Sequence, residues 1–214
     1  MDKFITSYDK YSIWQLSENG LMELSEFVVL ENYKHHTAGQ LSDNFNSEIA
    51  SVYNEEMSYF NRSRVFVAKN EENKIIGAIR LMNWNKIDIL PIQSLFDIQN
   101  LKDISPEDGN TAIWHIGRFA VSTDIGRYGL VLFKLLLLYA MYPICEQEKG
   151  IVFAECDSKL LRTMLLMGIQ AKTLGESIEY LGSETIPVYA TRSGLMNFFN
   201  KNQEIIRNQI SVTA

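Results

Sequence analysis

One imidazole and one guanidinium, His115 and Arg118, stand three residues apart inside the apolar run Ala112–Ile113–Trp114–His115–Ile116–Gly117–Arg118–Phe119–Ala120–Val121. A histidine is suited to accept a proton because its unperturbed pKa lies near neutral pH. The plain alternative is a hydrogen-bonded core histidine. Gly117 offers a place where a ligand or a second backbone approaches closely. The run reads as a strand, and period-two alternation puts His115, Gly117 and Phe119 on one face and Trp114, Ile116 and Arg118 on the other. It is followed at once by Ser122–Thr123–Asp124–Ile125–Gly126–Arg127–Tyr128–Gly129 and a long apolar helix. Unpaired N–H groups near Arg127, Tyr128, Gly129 and Leu130, together with the helix dipole, form a candidate phosphate site. A proton acceptor beside a docking place for a phosphate-bearing ligand is the chemistry that these residue types allow.

Elements predicted on both sides would position these groups. Tyr11–Leu16 alternates as a first strand, and apolar spacing gives helices over Leu21–His36 and about Asn46–Phe60. Arg64–Lys69 and Lys74–Leu81 flank a turn and form an antiparallel hairpin. A mixed segment, Asn85–Asn110, contains Ile89–Leu90–Pro91–Ile92 and a short helix expected over Ser94–Leu101. Beyond the central strand come a helix over about Arg127–Gln147, a strand at Gly150–Cys156, and a helix over Lys159–Met167 capped by Asp157 or Ser158 and ended by Gly168. A final hairpin (Ser177–Leu181, Ile186–Ala190) and an amphipathic helix over about 194–210 complete a single mixed α/β domain spanning 1–214, its sheet expected to have about six to seven strands flanked by helices.

With 214 residues, 46% of them hydrophobic and 21% charged, the chain can bury a full core without disulfides or metals. A net charge of −6 argues against a general nucleic-acid binder. Cys145 and Cys156 read as buried thiols in a reducing compartment. The N-terminus lacks a secretory pattern, so a cytoplasmic location is expected. Leu130–Met141, interrupted by Lys134, is shorter than the roughly 20 residues of a membrane span, so a buried core helix is expected rather than a transmembrane segment. A Cys156–His115 nucleophile pair is a weaker alternative to a buried thiol. Adjacent His35 and His36 diverge by about 100° on a helix and suit no shared metal. Asn61–Arg62–Ser63 is a glycosylation triplet without consequence inside the cell.

Ile113–Trp114–His115–Ile116–Gly117–Arg118–Phe119–Ala120–Val121 resembles the IWE-x-SRFAV signature of acyl-homoserine-lactone synthases and N-acyl amino acid synthases, within the GNAT acyltransferase superfamily. His115 stands where those families have glutamate, and Gly117 where many have serine. Gly77–Ala78–Ile79–Arg80–Leu81 resembles their VG-x-x-RL strand, and Leu90–Pro91–Ile92 a segment that helps wall the acyl pocket. The resemblance, over roughly residues 20–192, implies a GNAT-like fold and catalysis around His115, Gly117 and Arg118. It implies a donor site at Phe119, Val121, Gly126, Arg127, Tyr128 and Gly129, and substrate contacts at Arg80, Trp84 and Trp114, with no metal and no tightly bound cofactor. The usual acetyl-CoA loop reads R-x-x-G-x-G/A; Gly126 and Val131 occupy its arginine and later glycine positions, which suits a single phosphate. The implied donor is therefore acyl-phosphopantetheine on acyl carrier protein, or else acyl-CoA. Arg118, Arg127, Lys134, Lys159 and Arg162 are the basic candidates for docking that acidic partner. The expected activity is transfer of a medium or long acyl chain to the amine of an amino acid or related small molecule, giving a product able to partition into membrane. Two alternatives stay open. One is an autoinducer synthase using S-adenosylmethionine, although Leu30–Lys34 and Glu55–Tyr59 do not match that family's Arg-x-x-x-Phe pair and aspartates. The other is an inactive domain that binds an acyl chain or acyl carrier.

Overall fold

A computed structural model describes residues 1–36, 39–99, 101, 104, 111–180 and 183–206. Strands β1 (Lys3–Ser7), β2 (Tyr11–Gln15), β3 (Ser63–Asn70), β4 (Ile75–Asn83) and β5 (Ala112–Val121) form an antiparallel meander. Helix α4 (Gly129–Cys145) then crosses over, and β6 (Gly150–Cys156) pairs with β5 in parallel. Beyond β6 the sheet continues antiparallel through β9 (Ser183–Thr191), against which β7 (Lys172–Thr173) and β8 (Ile178–Tyr180) also pair. The sheet has nine strands, more than the six or seven expected. The difference lies in β1 and β7, which are short: only Ile5 is buried in β1 and neither residue of β7 is, so the alternation that betrays a strand is missing.

Alternation within each central strand divides the core. Phe66, Ala68, Ile79 and Leu81 face Leu132, Leu135, Leu136 and Tyr139 of α4 on one side of the sheet. Val65, Val67, Ile75 and Ala78 face Leu21, Leu24 and Val28 of α1 (Leu21–His36) on the other. Helix α2 (Phe45–Tyr59) packs on α1 through Ile49, Val52, Val29 and Tyr33. The helical run Thr123–Cys145, an opening 3-10 stretch included, is 23 residues long and apolar enough to cross a membrane by length and composition. That corrects the expectation of too short a run. More than half of its most apolar window is buried within the fold, against the sheet and against α6 (Arg192–Asn202).

Helix α3 (Pro91–Phe96) begins three residues earlier than expected, with proline in the first turn and the Gln93 side chain accepting from the Leu90 amide at 3.0 Å. Residue 100, within the helix expected there, lies outside the described residues. Helix α5 (Ser158–Leu166) is capped by Asp157, whose carboxylate accepts from the Leu160 amide at 2.7 Å. Gly168 follows it with φ 91°. Helix α6 starts at Arg192 rather than Gly194 because Thr191 Oγ1 caps it; it is helical to Asn202, and residues 207–210 of the expected helix are outside the described set.

Candidate active site

Two irregularities in β5 make the site. The pairing of β5 with β6 covers Ala112–Ile116 and stops at Ile116 opposite Ala154. On the other edge, Gly117 pairs with Arg80 and Ala120 with Ala78, so Arg118 and Phe119 together oppose Ile79 in a β-bulge. Arg118 takes φ 52°, a left-handed conformation rare for a side-chain-bearing residue. The bulge overturns the expected faces: Arg118 lies on the same side as His115, and Phe119 turns to stack edge-on with Phe133 of α4, ring centroids 4.7 Å apart.

A buried polar cluster fills that side. Arg80, 1% exposed, and Arg118 converge on Glu56 of α2: the Arg80 Nη1 donates to Glu56 Oε1, as does Arg118 Nε at 2.7 Å. Arg118 Nη2 lies 2.7 Å from Glu55 Oε1. Burial opposes charge on Glu56, but the two guanidinium groups outweigh it and hold the carboxyl below its ordinary range. Burial likewise disfavours the Arg118 cation, and Glu56 and Glu55 overcome it and strengthen its hold on the proton. Arg118 is thus a buried ion-pair partner and not a surface charge for docking a carrier.

His115 is fully buried. Its Nδ1 lies 3.2 Å from Arg80 Nη2, and its Nε2 lies 2.9 and 3.0 Å from the two Glu155 oxygens. A guanidinium only donates, so Nδ1 accepts, the ring proton sits on Nε2, and Nε2–H donates to Glu155. The imidazole therefore offers no free lone pair to a ligand, which corrects its expected place as the group that meets the acceptor. Glu155 of β6, its hydrogen-bond partner, lines two cavities instead. Burial would raise its carboxyl, but His115, Arg80 and Arg118 prevail and hold it below the usual carboxylate range. The sequence reading passed over Glu155 as part of an apolar strand. The available signal was a single carboxylate in such a strand, adjacent in a parallel sheet to the one carrying the histidine.

Three cavities meet where β5 and β6 part, and Phe119 and Leu160 line all of them. An apolar cavity of about 80 Å³ runs between the strands toward Leu137, Met141, Met164 and Leu195. A polar cavity of about 130 Å³ is lined by Glu55, Arg80, Arg118, Asp157 and Tyr180. A larger groove of about 490 Å³ passes between α1, the start of α4 and α5, along Phe119, Val121, Gly129, Leu130 and Lys159. Gly117 and Glu155 border both the apolar and the polar cavity.

The anion loop is partly engaged by the protein itself. Glu31, 2% exposed, accepts from the Thr123 amide at 3.0 Å and pairs with Lys34 at 2.8 Å. Ser122 Oγ accepts from the Asp124 amide, and the Gly129 amide closes on Gly126 O. Of the expected donor-site residues, Phe119, Val121 and Gly129 line the groove, whereas Gly126, Arg127 and Tyr128 do not. The Arg127 guanidinium lies over the Tyr128 ring, 5.0 Å from its centroid. Neither Trp84 nor Trp114 lines any of these three cavities. Trp84 is buried with Met82, Leu90 and Ile92 and donates to Asp88 O, and Trp114 packs into the core on the α4 side. The alternation of their strands turns both into packed layers. The Cys156–His115 pair does not form, since both ring nitrogens are engaged and burial, aided by Asp157 and Glu155, pushes the Cys156 thiol up to about 12. Among the described residues no group of histidines, cysteines and carboxylates could hold a metal ion.

No protein-family model and no curated protein matches the sequence. Solved structures do match the fold. An N-acyl amino acid synthase from uncultured soil microbes, FeeM, superposes with a TM-score of 0.53 at 11% identity, covering 85% of this chain and 89% of its own. TofI, in a ternary complex with an inhibitor and MTA, gives 0.54 at 14% identity over 88% and 96%. A GNAT-family acetyltransferase from Staphylococcus aureus Mu50 gives 0.52 at 17% identity over 85% and 99%. At such identities the likeness is one of fold: the chain has the GNAT-type mixed sheet flanked by helices.

Proposed function

We propose that the chain is an N-acyltransferase that moves a medium or long acyl group from acyl carrier protein, or from acyl-CoA, to the amine of a small molecule. The observation that carries this reading is the meeting of an apolar cavity, a polar cavity and a long groove at one gap between strands, with the Glu155 carboxylate bordering the first two. The pantetheine arm lies in the groove and the acyl chain in the apolar cavity. The acceptor amine enters the polar cavity and gives its proton to Glu155, held ionised by its cationic neighbours. The freed lone pair attacks the thioester carbonyl. The unpaired edge of β5 beyond Ile116 supplies backbone amides for the oxyanion, and collapse of the adduct expels the thiolate, which takes the second amine proton to leave a neutral amide and a free thiol. His115 orients Glu155 and links it to Arg80.

Mass spectrometry of lipid extracts from cells expressing the protein tests this. N-acyl amines are expected with the parent chain, falling at least about a hundredfold in Glu155→Gln, the range seen when a general base is removed. His115→Ala is expected to reduce them less. Extracts unchanged by expression or by Glu155→Gln would defeat the catalytic reading in favour of a binding module. Label from S-adenosylmethionine entering the product would instead identify a lactone synthase.

A further inference from the structure

The polar cavity has a charge arrangement that acyl transfer by itself does not require. Its two cations are already engaged by the protein. Arg80 is held by Glu56 and by His115 Nδ1, with its guanidinium 5.3 Å from the centre of the Tyr59 ring. Arg118 gives Nε to Glu56, and its Nη2 is ion-paired with Glu55, 2.7 Å from Oε1. The carboxylates stand forward of them: the Glu55 and Asp157 side chains are 27% and 26% exposed, whereas that of Arg80 is 1%. With Glu155 at the junction and Glu56 behind, four carboxylates meet two guanidinium groups. His115 adds no charge while its Nδ1 accepts from Arg80. Even with His36, 3.5 Å from Asp157, protonated, acids outnumber cations around this cavity among the described residues.

We infer that the acceptor is a cation without a carboxylate: a primary amine or diamine of the decarboxylated kind, and not an α-amino acid. The inference rests on the proposed transfer reaction and narrows its acceptor. An ammonium group entering the cavity meets carboxylates, the two guanidinium groups in its wall being already ion-paired to Glu56 and Glu55, then surrenders a proton to Glu155. An α-carboxylate would have to displace Glu55 or Glu56 from a guanidinium, or lie unpaired beside them where the dielectric is low and like charges repel strongly. Discrimination therefore comes from a repulsive wall as much as from an attractive one.

The test is a matched acceptor panel with purified full-length protein: tyramine against tyrosine, agmatine against arginine, and cadaverine against lysine. The donors are decanoyl and palmitoyl thioesters of acyl carrier protein and of coenzyme A. We expect kcat/KM at least tenfold higher for each amine than for its parent amino acid, with Glu55→Gln narrowing the ratio mainly through KM. Equal or better turnover of the amino acids would overturn the inference while leaving acyl transfer intact. Thermal shifts with the same acceptors, measured without donor, separate the two claims. Stabilisation by tyramine but not tyrosine, with no transfer from any donor, would support the cationic site and defeat the enzyme reading. No preference in either measurement would overturn the inference.

Discussion

A Cβ added at position 117 would lie 2.9 Å from Arg80 Nη2 and 3.2 Å from His115 Cε1. The glycine is therefore what lets an imidazole of this size reach between Arg80 and Glu155, and the two departures from the signature, histidine at 115 and glycine at 117, belong together. Gly117→Ala is expected to cost about 1–3 kcal/mol in urea unfolding, the range for overpacking. A double-mutant cycle with His115→Ala should show coupling of roughly 0.5–3 kcal/mol, the range for touching residues. At the centre of the cluster, Glu56→Gln leaves two buried guanidinium groups short of their counter-charge and should destabilise the fold by about 3–5 kcal/mol. Because the Glu56 and Glu155 carboxyls are held below their ordinary pKa, the stability they contribute is fully present above about pH 4.5, the unfolded value, and is lost as pH falls through their folded values. Acid unfolding followed by circular dichroism checks this: Glu56→Gln should flatten the acid limb. The cysteines give a further check, since thiols pushed up to about 12 should resist iodoacetamide at pH 8 until the chain unfolds. The resemblance singled out Arg80, His115, Gly117 and Arg118, and the structure makes them neighbours. Their division of labour was not legible, because it depends on which face each occupies, and the left-handed turn at Arg118 carries no glycine to announce it.

The elements were largely legible where their pattern was strong. Helix α1 runs over Leu21–His36 as its spacing requires, and the β3–β4 hairpin brackets the turn at Asn70–Asn73. Elements whose patterns are short or interrupted were missed or shifted: edge strand β1, with one buried residue, and α3, whose start is set by Pro91. Helix α5 has two duties, since Asp157 caps it and also lines the polar cavity. Asp157→Ala should cost about 1 kcal/mol by thermal unfolding, the usual value of a lost N-cap, whereas Asp157→Asn should keep the cap and remove the charge. A comparable loss in both variants would show that the capping bond contributes little.

Taken whole, the protein carries a net charge of −6, the same sign as the carrier protein proposed to deliver its donor. Lys159 lines the groove, and Arg127 and Arg162 are exposed basic residues next to α4 and on α5, the helices that border it. If a carrier docks there, transfer from acyl carrier protein should slow as salt rises from 50 to 300 mM (about 14 to 6 Å Debye length), and transfer from a short pantetheine thioester should not. Lys159→Glu should raise KM for the carrier-borne donor selectively. The sheet itself divides into a meander of five strands and a smaller group around β9, joined edge to edge over five residue pairs from Ala112 to Ile116. Beyond that short zipper, the seam between the halves is the path a substrate would take. A long-chain ligand lodged there would act as a splint across the seam. Hydrogen exchange should then slow together on β5 and on β6.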